Sequence, residues 1–351
     1  MQREKQLSEW LSILYPAQTF TLAPASADAS FRRYFRATFA DGSTRIVMDA
    51  PPEHEDCKPF LHVGTLFEQA GVNVPHVYAQ NLEHGFLLLS DLGDTTYLQA
   101  LTADNARQLY GAATDALLKI QLASQPDELP PYDEALLRRE LNLFPEWYLA
   151  KHLGVTLDQK QQVKLEQVFG RILANNLAQP CVYVHRDYHS RNLMTGEDPL
   201  RNPLTKGEEA NAGSNFQSLP GILDFQDAVY GPITYDLASL FKDAYIKWEE
   251  AEIIDWLVRY WEKARQAGLP VRADFGEFYR DYEMMGVQRH LKVLGIFARL
   301  YHRDGKDGYL KDMPRVMAYL VKACERYIDL KPLLNLLVEL HPAAIQEGYS
   351  I

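Results

Sequence analysis

Three side chains define the chemistry open to this sequence. Asp187 and Asn192 lie five residues apart in the run His185-Arg186-Asp187-Tyr188-His189-Ser190-Arg191-Asn192, and Asp224 follows the apolar pair Ile222-Leu223 further on. Phosphoryl transfer needs a group that orients or deprotonates the attacking hydroxyl, and oxygen ligands for Mg²⁺ on the phosphates of ATP. Asp187 is the candidate for the first task. Asn192, with a neutral oxygen, and Asp224, with a charged one, are the candidates for the second. Arg186 stands ready to neutralise the acids of the loop or to pair with a nearby carbonyl. His189 and Arg191 are less constrained and are candidates to face an acceptor. His185 is expected to pack under the loop and bond to backbone. Asp227 fits either an outer ligand or a turn cap.

These residues need a frame. Apolar spacing predicts a helix from Glu4 to Tyr15, with Leu7, Leu11 and Leu14 on one side. A strand is expected at Thr19–Leu22, a small-residue loop at Pro24–Ser30, then strands at Tyr34–Phe39 and Thr44–Met48 joined by a tight turn at Asp41-Gly42. A helix from Lys58 to Ala70 is closed by Gly71. Val77-Tyr78 and Phe86–Leu89 make two more short strands, and Ser90–Asp94 is the connector. From Asp104 onward the spacing is mostly helical, except for short strands between Val182 and Asp227. Within these lies a polar insertion at residues 195–220, rich in Gly, Asn and Glu. Thr234 is the expected cap of the next helix, which carries Asp236, read as steadying the catalytic loop through hydrogen bonds. The resulting division is 1–90 as a small nucleotide-binding lobe and 91–351 as a larger catalytic and acceptor-binding lobe.

The loop before the second strand contains no glycine. Ser30, Phe31 and their backbone amides are the candidates to cradle phosphate oxygens, with Arg32 and Arg33 adding charge. A plain hairpin loop fits the same residues. Leu89 and Asp91 are placed to offer backbone N–H and C=O groups to an adenine edge; an ordinary buried strand fits equally well. The third strand, Arg45-Ile46-Val47-Met48-Asp49, ends without a lysine, and the helix after it has no obvious glutamate. Both halves of that ion pair are missing together, which leaves Arg32, Arg33 or Lys58 to contact phosphate. Glu140 and Trp147, in a helical stretch at Arg138–Leu149, and Arg289 with His290, in one at Val287–Tyr301, are candidates to line an acceptor pocket. The apolar stripe of the second stretch reads first as core.

Bulk properties narrow the class. The chain has 351 residues, 47 % of them hydrophobic and 24 % charged, with a net charge of −11. That charge argues against a nucleic-acid partner. No apolar run reaches membrane-spanning length, and the start, Met1-Gln2-Arg3-Glu4-Lys5, has no signal-peptide core. A cytoplasmic protein, acting as a monomer without a membrane partner, is expected. Cys57, Cys181 and Cys324 are too scattered for a zinc site or a disulfide framework.

The loop His185–Asn192 matches the H-R-D-x-x-x-x-N pattern of protein kinases. Taken with Ile222-Leu223-Asp224-Phe225-Gln226-Asp227-Ala228 and Tyr235-Asp236-Leu237-Ala238, the chain resembles the aminoglycoside phosphotransferase and choline kinase family. The resemblance implies an α+β, protein-kinase-like two-lobed fold with a small β-rich N-terminal lobe and a large, mostly helical C-terminal lobe. It also implies ATP and Mg²⁺ as cofactors and a small hydroxyl compound as acceptor. Asp28–Arg36, Val47–Pro52 and Gln288–Leu300 are similar to a branch of that family in bacterial cell-wall recycling. That branch phosphorylates the amino sugars N-acetylmuramate and N-acetylglucosamine at the anomeric hydroxyl, and the missing lysine is one of its traits. An arginine is then expected at the lactyl carboxylate of N-acetylmuramate, with Arg138, Arg191 and Arg289 as candidates. Two other readings stand beside this one: an aminoglycoside or amino-alcohol kinase, and a nucleotide-binding pseudokinase.

Overall fold

The computed structural model describes residues 2–27, 31–195 and 219–340. Along the chain come helix α1 (Gln2–Leu14), strands β1 (Phe20–Ala27), β2 (Arg33–Phe39) and β3 (Thr44–Asp49), helix α2 (Lys58–Gln69), strands β4 (Val77–Asn81) and β5 (Phe86–Ser90), the short α3 (Tyr97–Ala100) and α4 (Ala106–Leu122). Next are α5 (Glu134–Leu143), a π-helical segment (Phe144–His152), α6 (Gln159–Leu177) and β6 (Cys181–Val184). The short strands β7 (Leu193–Met194) and β8 (Gly221–Ile222) pair with each other, and β9 (Val229–Pro232) pairs with β6. The chain ends in α7 (Tyr235–Phe241), α8 (Glu250–Gln266), α9 (Phe275–Asp304), α10 (Met313–Arg326) and α11 (Lys331–Leu340).

Two compact units emerge: Met1–Ala123 with Arg191–Asp227, and Ser124–Ser190 with Ala228–Ile351. This differs from a single cut at residue 90, because specific bonds tie the later segment to the sheet-bearing unit. Ile222 N–H donates to Asn73 O at 2.8 Å, Thr195 N–H donates to Thr95 O at 3.1 Å, and Lys119 of α4 donates to Gly71 O at 3.1 Å. The Phe225 ring also packs on Phe60 and Phe67 of α2. The polar insertion lies, apart from its ends, outside the described residues.

The first unit is built on an antiparallel sheet in the order β1-β2-β3-β5-β4. Side chains alternate across such a sheet. One face, with Phe35, Ala37, Phe39, Val47, Phe86 and Leu88, is covered by Leu7 and Leu11 of α1. Leu14, expected on the same stripe, is instead 37 % exposed at the helix end. Asp49 sits on this covered face with 0 % exposure, held by Arg3 of α1 and by Arg33, each at 2.5 Å. A buried carboxylate needs such partners, so α1 is fixed to the sheet by charge as well as by apolar packing. β1 runs through the stretch expected to be a loop. A register shift between Pro24 and Ser26 lets the chain stay paired with β2 as far as Ala27, opposite Arg33. A bulge of this kind takes up an extra residue without ending the strand. Asp41-Gly42 makes the tight turn, with the Asp41 carboxylate accepting from Ser43.

The second unit is helical around α9, whose 30 residues pack against the π-helical segment, α5, α6, α7 and α10. The helix expected across Arg138–Leu149 changes period at Phe144, with Pro145 in its first turn. Proline has no N–H to donate in an α-helical ladder, and the wider turn also meets α9. A Cβ on Gly295 would lie 2.4 Å from Leu143 O, so only glycine permits this approach. Thr234 is the N-cap residue of α7, as expected, but its side chain makes no capping bond; its hydroxyl donates to Gln179 Oε1 at 2.7 Å. Gly295→Ala is expected to lower unfolding free energy by about 1–3 kcal/mol, as overpacking does, read from the urea midpoint at unchanged m-value. A shift under about 0.5 kcal/mol would mean that α9 and the π-helical segment separate at no cost.

Candidate active site

The second unit holds Asp187. β6 ends at Val184, and the chain turns at once through Arg186, whose φ of +76° is rare for a side-chain-bearing residue. The buried Asp236 on α7 accepts the backbone N–H groups of His185 at 2.7 Å and Arg186 at 3.0 Å. His185 is fully buried, and its Nδ1 accepts the Asp187 N–H at 3.2 Å. At the far end of the loop, Asp243 accepts both the N–H and the hydroxyl of Ser190, at 3.0 and 2.5 Å. Two buried carboxylates thus hold the loop from below.

Arg186 leads to a third. Its Nη2 donates to Glu140 Oε1 at 2.6 Å, and Lys292 Nζ lies 2.9 Å from the same oxygen. Tyr132 donates its hydroxyl to Glu140 Oε2. Lys292 also donates to the Tyr235 hydroxyl at 2.9 Å. Glu140, expected to line an acceptor pocket, is 4 % exposed with both oxygens engaged; it is the counter-ion of the catalytic-loop arginine. Burial works to raise its carboxyl, but Lys292 and Arg186 outweigh burial and hold it below the ordinary glutamate range.

The same balance governs Asp187. Burial pushes its carboxyl up, while Lys292, His189, Arg289 and His185 together hold it below the usual aspartate value. It is therefore a carboxylate at neutral pH. Asp236 goes the other way: burial, with the Asp187 charge adding to it, overrides the two backbone N–H donors and pushes it up to about 7.

Arg289 on α9 is 4 % exposed, and its Nη1 has no hydrogen-bond partner among the described residues. Arg138 is committed elsewhere, 2.6 Å from Glu166 and over the Phe169 ring. His189 lies edge-on to Tyr245, with ring centroids 5.5 Å apart. Trp147 is half-buried on the π-helical segment.

The first unit holds the other candidates. Asn192 and Asp224 meet there, with Asn192 Nδ2 donating to Asp224 Oδ2 at 3.4 Å. Asp224 has a φ of +63°, and this turn leaves its carboxylate exposed while Phe225 is buried against α2. Gln226 donates to its other oxygen at 2.9 Å. One neutral and one charged oxygen suit a hard cation that takes its remaining ligands from water and phosphate. Arg191 also belongs to this unit. Leu89 is buried in β5 opposite Ile46. The Asp91 carboxylate is occupied by Arg36, at 2.6 and 3.1 Å, and by Gly93 N–H, which leaves only its backbone for a base. Arg33 lies on the α1-covered face with Asp49 and Glu4, not beside Arg32. Phe31 is exposed and stacks on His54. Ser30 lies outside the described residues.

Sequence comparison identifies the set. The profile of the Phosphotransferase enzyme family matches residues 21–201 and 215–275. The chain belongs to that family. It is therefore a phosphotransferase, and its fold is α+β and protein-kinase-like. The chain is 50 % identical, over 97 % of its length and 96 % of the relative's, to an N-acetylmuramate/N-acetylglucosamine kinase of Neisseria meningitidis serogroup B. Among solved structures it is similar to a choline kinase from Streptococcus pneumoniae, with a TM-score of 0.60 and 13 % identity over 92 % of this chain and 100 % of that one. An ADP-bound aminoglycoside phosphotransferase gives a TM-score of 0.56 and 13 % identity over 91 % of this chain and 98 % of that one. No helix among the described residues is long and apolar enough to cross a membrane.

Sequence reasoning missed Lys292, Asp243 and Tyr132. Lys292 carried a signal, being a lysine inside the apolar stripe of α9. Asp243 and Tyr132 carried none.

Glu140→Gln is expected to cost about 3 kcal/mol or more, because it strands two buried cations. The folded pKa of Glu140 is lowered, so its contribution is present above the unfolded value of about 4.3 and is lost as pH falls through the folded one. The stability gap between wild type and variant should thus be full at pH 7 and shrink below about pH 4. A gap that grows on acidification would contradict an ionised Glu140.

Proposed function

We propose that this phosphotransferase uses ATP with Mg²⁺ to phosphorylate N-acetylmuramate and N-acetylglucosamine at the anomeric hydroxyl, a reaction of cell-wall sugar recycling. The reaction rests above all on the setting of Asp187, where Lys292, His189, Arg289 and His185 hold its carboxyl below the usual aspartate value. The choice of acceptor rests on the relative that is 50 % identical over nearly the whole chain.

Asp187 accepts the proton of the sugar hydroxyl as its oxygen forms the new bond to the γ-phosphorus. The bond from that phosphorus to the bridging oxygen breaks, and ADP leaves. A weak base suffices, because the transition state is loose and the hydroxyl needs orientation more than deprotonation. Asn192 and Asp224 hold the Mg²⁺, which neutralises charge on the phosphate oxygens when bound. Leu89 and Asp91 offer backbone groups to the adenine.

Arg289 is the arginine best suited to a carboxylate on the acceptor. It is buried and cationic, and has a donor unspent among the described residues. Lys292 and Arg289 around Asp187 oppose a cationic aminoglycoside or choline as acceptor, although the net charge of the chain is −11.

Incubation with ATP, Mg²⁺ and either sugar should give a ³¹P signal coupled to the anomeric proton. A 6-phosphate would overturn the position, and absence of turnover would overturn the reaction. Asp187→Asn should reduce kcat by at least ~10² with the fold intact; near-normal turnover would remove Asp187 from its role. Arg289→Leu should raise KM for N-acetylmuramate more than for N-acetylglucosamine, by about 1.5–3 kcal/mol of lost charge-assisted bonding. Equal effects on both sugars would rule out Arg289 as the carboxylate contact.

A further inference from the structure

The third strand has no lysine for the nucleotide phosphates, and the sheet itself narrows what replaces it. The face of β2 and β3 opposite α1 carries Tyr34 and Arg36, then Ile46 and Met48, by the alternation that sends Phe35, Ala37 and Val47 into the α1 core. Met48 pairs with Tyr34 at the end of the sheet where β2 begins. Its position is where a lysine would stand, and its side chain is apolar.

Arg32, Arg33 and Lys58 are the candidates to take the lysine's place. Arg33 faces the other way, bound to Asp49 and Glu4. Lys58 is exposed at the start of α2. Arg32 is different. It precedes β2 by one residue and bonds to the Tyr34 side chain, which places it on the face opposite α1. Its guanidinium lies 3.0 Å from Glu55, the two side chains being 12 % and 13 % exposed. Glu55 is three residues before α2. Phe60 on the first turn of α2 packs on Phe225, with ring centroids 4.8 Å apart, directly after Asp224. Phe67 packs on the same ring, and a Cβ on Gly64 would lie 3.4 Å from it, so the Asp224 turn lies along α2, the helix that Glu55 precedes.

We propose that Arg32, oriented by Glu55, binds the α- and β-phosphates of the nucleotide, and that the two residues together replace the missing lysine and glutamate. This deepens the ATP reading given above and rests on it. A guanidinium presents five N–H donors in a planar fork whose geometry suits phosphate. Glu55 holds the arginine in place when no nucleotide is bound and confines it to one rotamer. The contact persists in ADP, so the pair governs nucleotide binding whether or not a sugar is present.

The test is isothermal titration of full-length protein with Mg²⁺-ADP and, separately, adenosine. Arg32→Met should weaken ADP binding about tenfold to a hundredfold and leave adenosine binding within twofold. Arg32→Lys should recover part of the loss. Arg32→Met leaves Glu55 unpaired, so the double variant Arg32→Met/Glu55→Gln is measured beside it, with thermal melting to establish the fold. Its ADP affinity should be as low as that of the single variant. ADP binding within twofold of wild type in a folded Arg32→Met protein overturns the assignment, and so does an equal loss for adenosine. Wild-type protein that binds neither ADP nor ATP overturns the ATP reading itself, and this inference with it.

Discussion

A carboxylate withdrawn from water must find its donors inside the protein, and Glu140 finds three, from Tyr132, Arg186 and Lys292. Each comes from a different part of the second unit: the approach to α5, the catalytic loop, and the middle of α9. Replacing a buried ion pair wholesale with apolar residues is often neutral for stability, whereas removing one member is costly. The network therefore contributes geometry more than energy. It fixes Arg186 in its left-handed turn, and Asp187 is the next residue. Asp236 and Asp243 repeat the arrangement with backbone donors, so the loop is held at its start, middle and end by carboxylates beneath it. Lys292, which neutralises Glu140, also reaches Asp187 and, with His189, Arg289 and His185, holds it low, whereas burial raises Asp236.

In the first unit, strand alternation sorts the charges. Neighbouring arginines go to opposite faces: Arg33 joins Asp49 under α1, and Arg32 joins Glu55 on the other face. Arg36, on the same face as Arg32, holds the carboxylate of Asp91 and with it the backbone that follows β5. The α1-covered face thus keeps Asp49 dry and paired, while the other face sets Tyr34 and Arg36 beside the buried Met48, Leu87 and Leu89. The Phe225 ring ties the Asp224 turn to α2.

Much of this was legible in the sequence. The strands around Asp41-Gly42, the helix closed by Gly71, and the catalytic loop all follow from local signals that the fold does not override. The errors have definite physical causes. Pro24 suggested a loop, but pairing with β2 carried the strand past it by a bulge. Thr234 stands at the N-cap position its sequence suggested, but its hydroxyl is claimed by Gln179, far along the chain. Arg32 and Arg33 looked equivalent until the register separated them. Glu140 read as an acceptor contact because a glutamate in an amphipathic helix is usually near solvent. Its three donors come from sequence-distant segments, and no local pattern reports them. The change of helical period at Phe144 depended on α9 passing over Leu143, which Gly295 permits.

The long helix α9 is keyed to its surroundings at many points. Asp281, Glu283, Gln288, Arg289, His290 and Lys292 are all buried along it, interleaved with apolar side chains and followed by the tight passage at Gly295. One residue inserted or deleted within this span would rotate everything beyond it by about 100°, turning every buried charge away from its partner at once. The helix can therefore diverge by exchange of side chains but not by change of length. Chains descended from a common ancestor with this one should align through α9 without gaps, and differences in length between them should accumulate in stretches that carry no such keys.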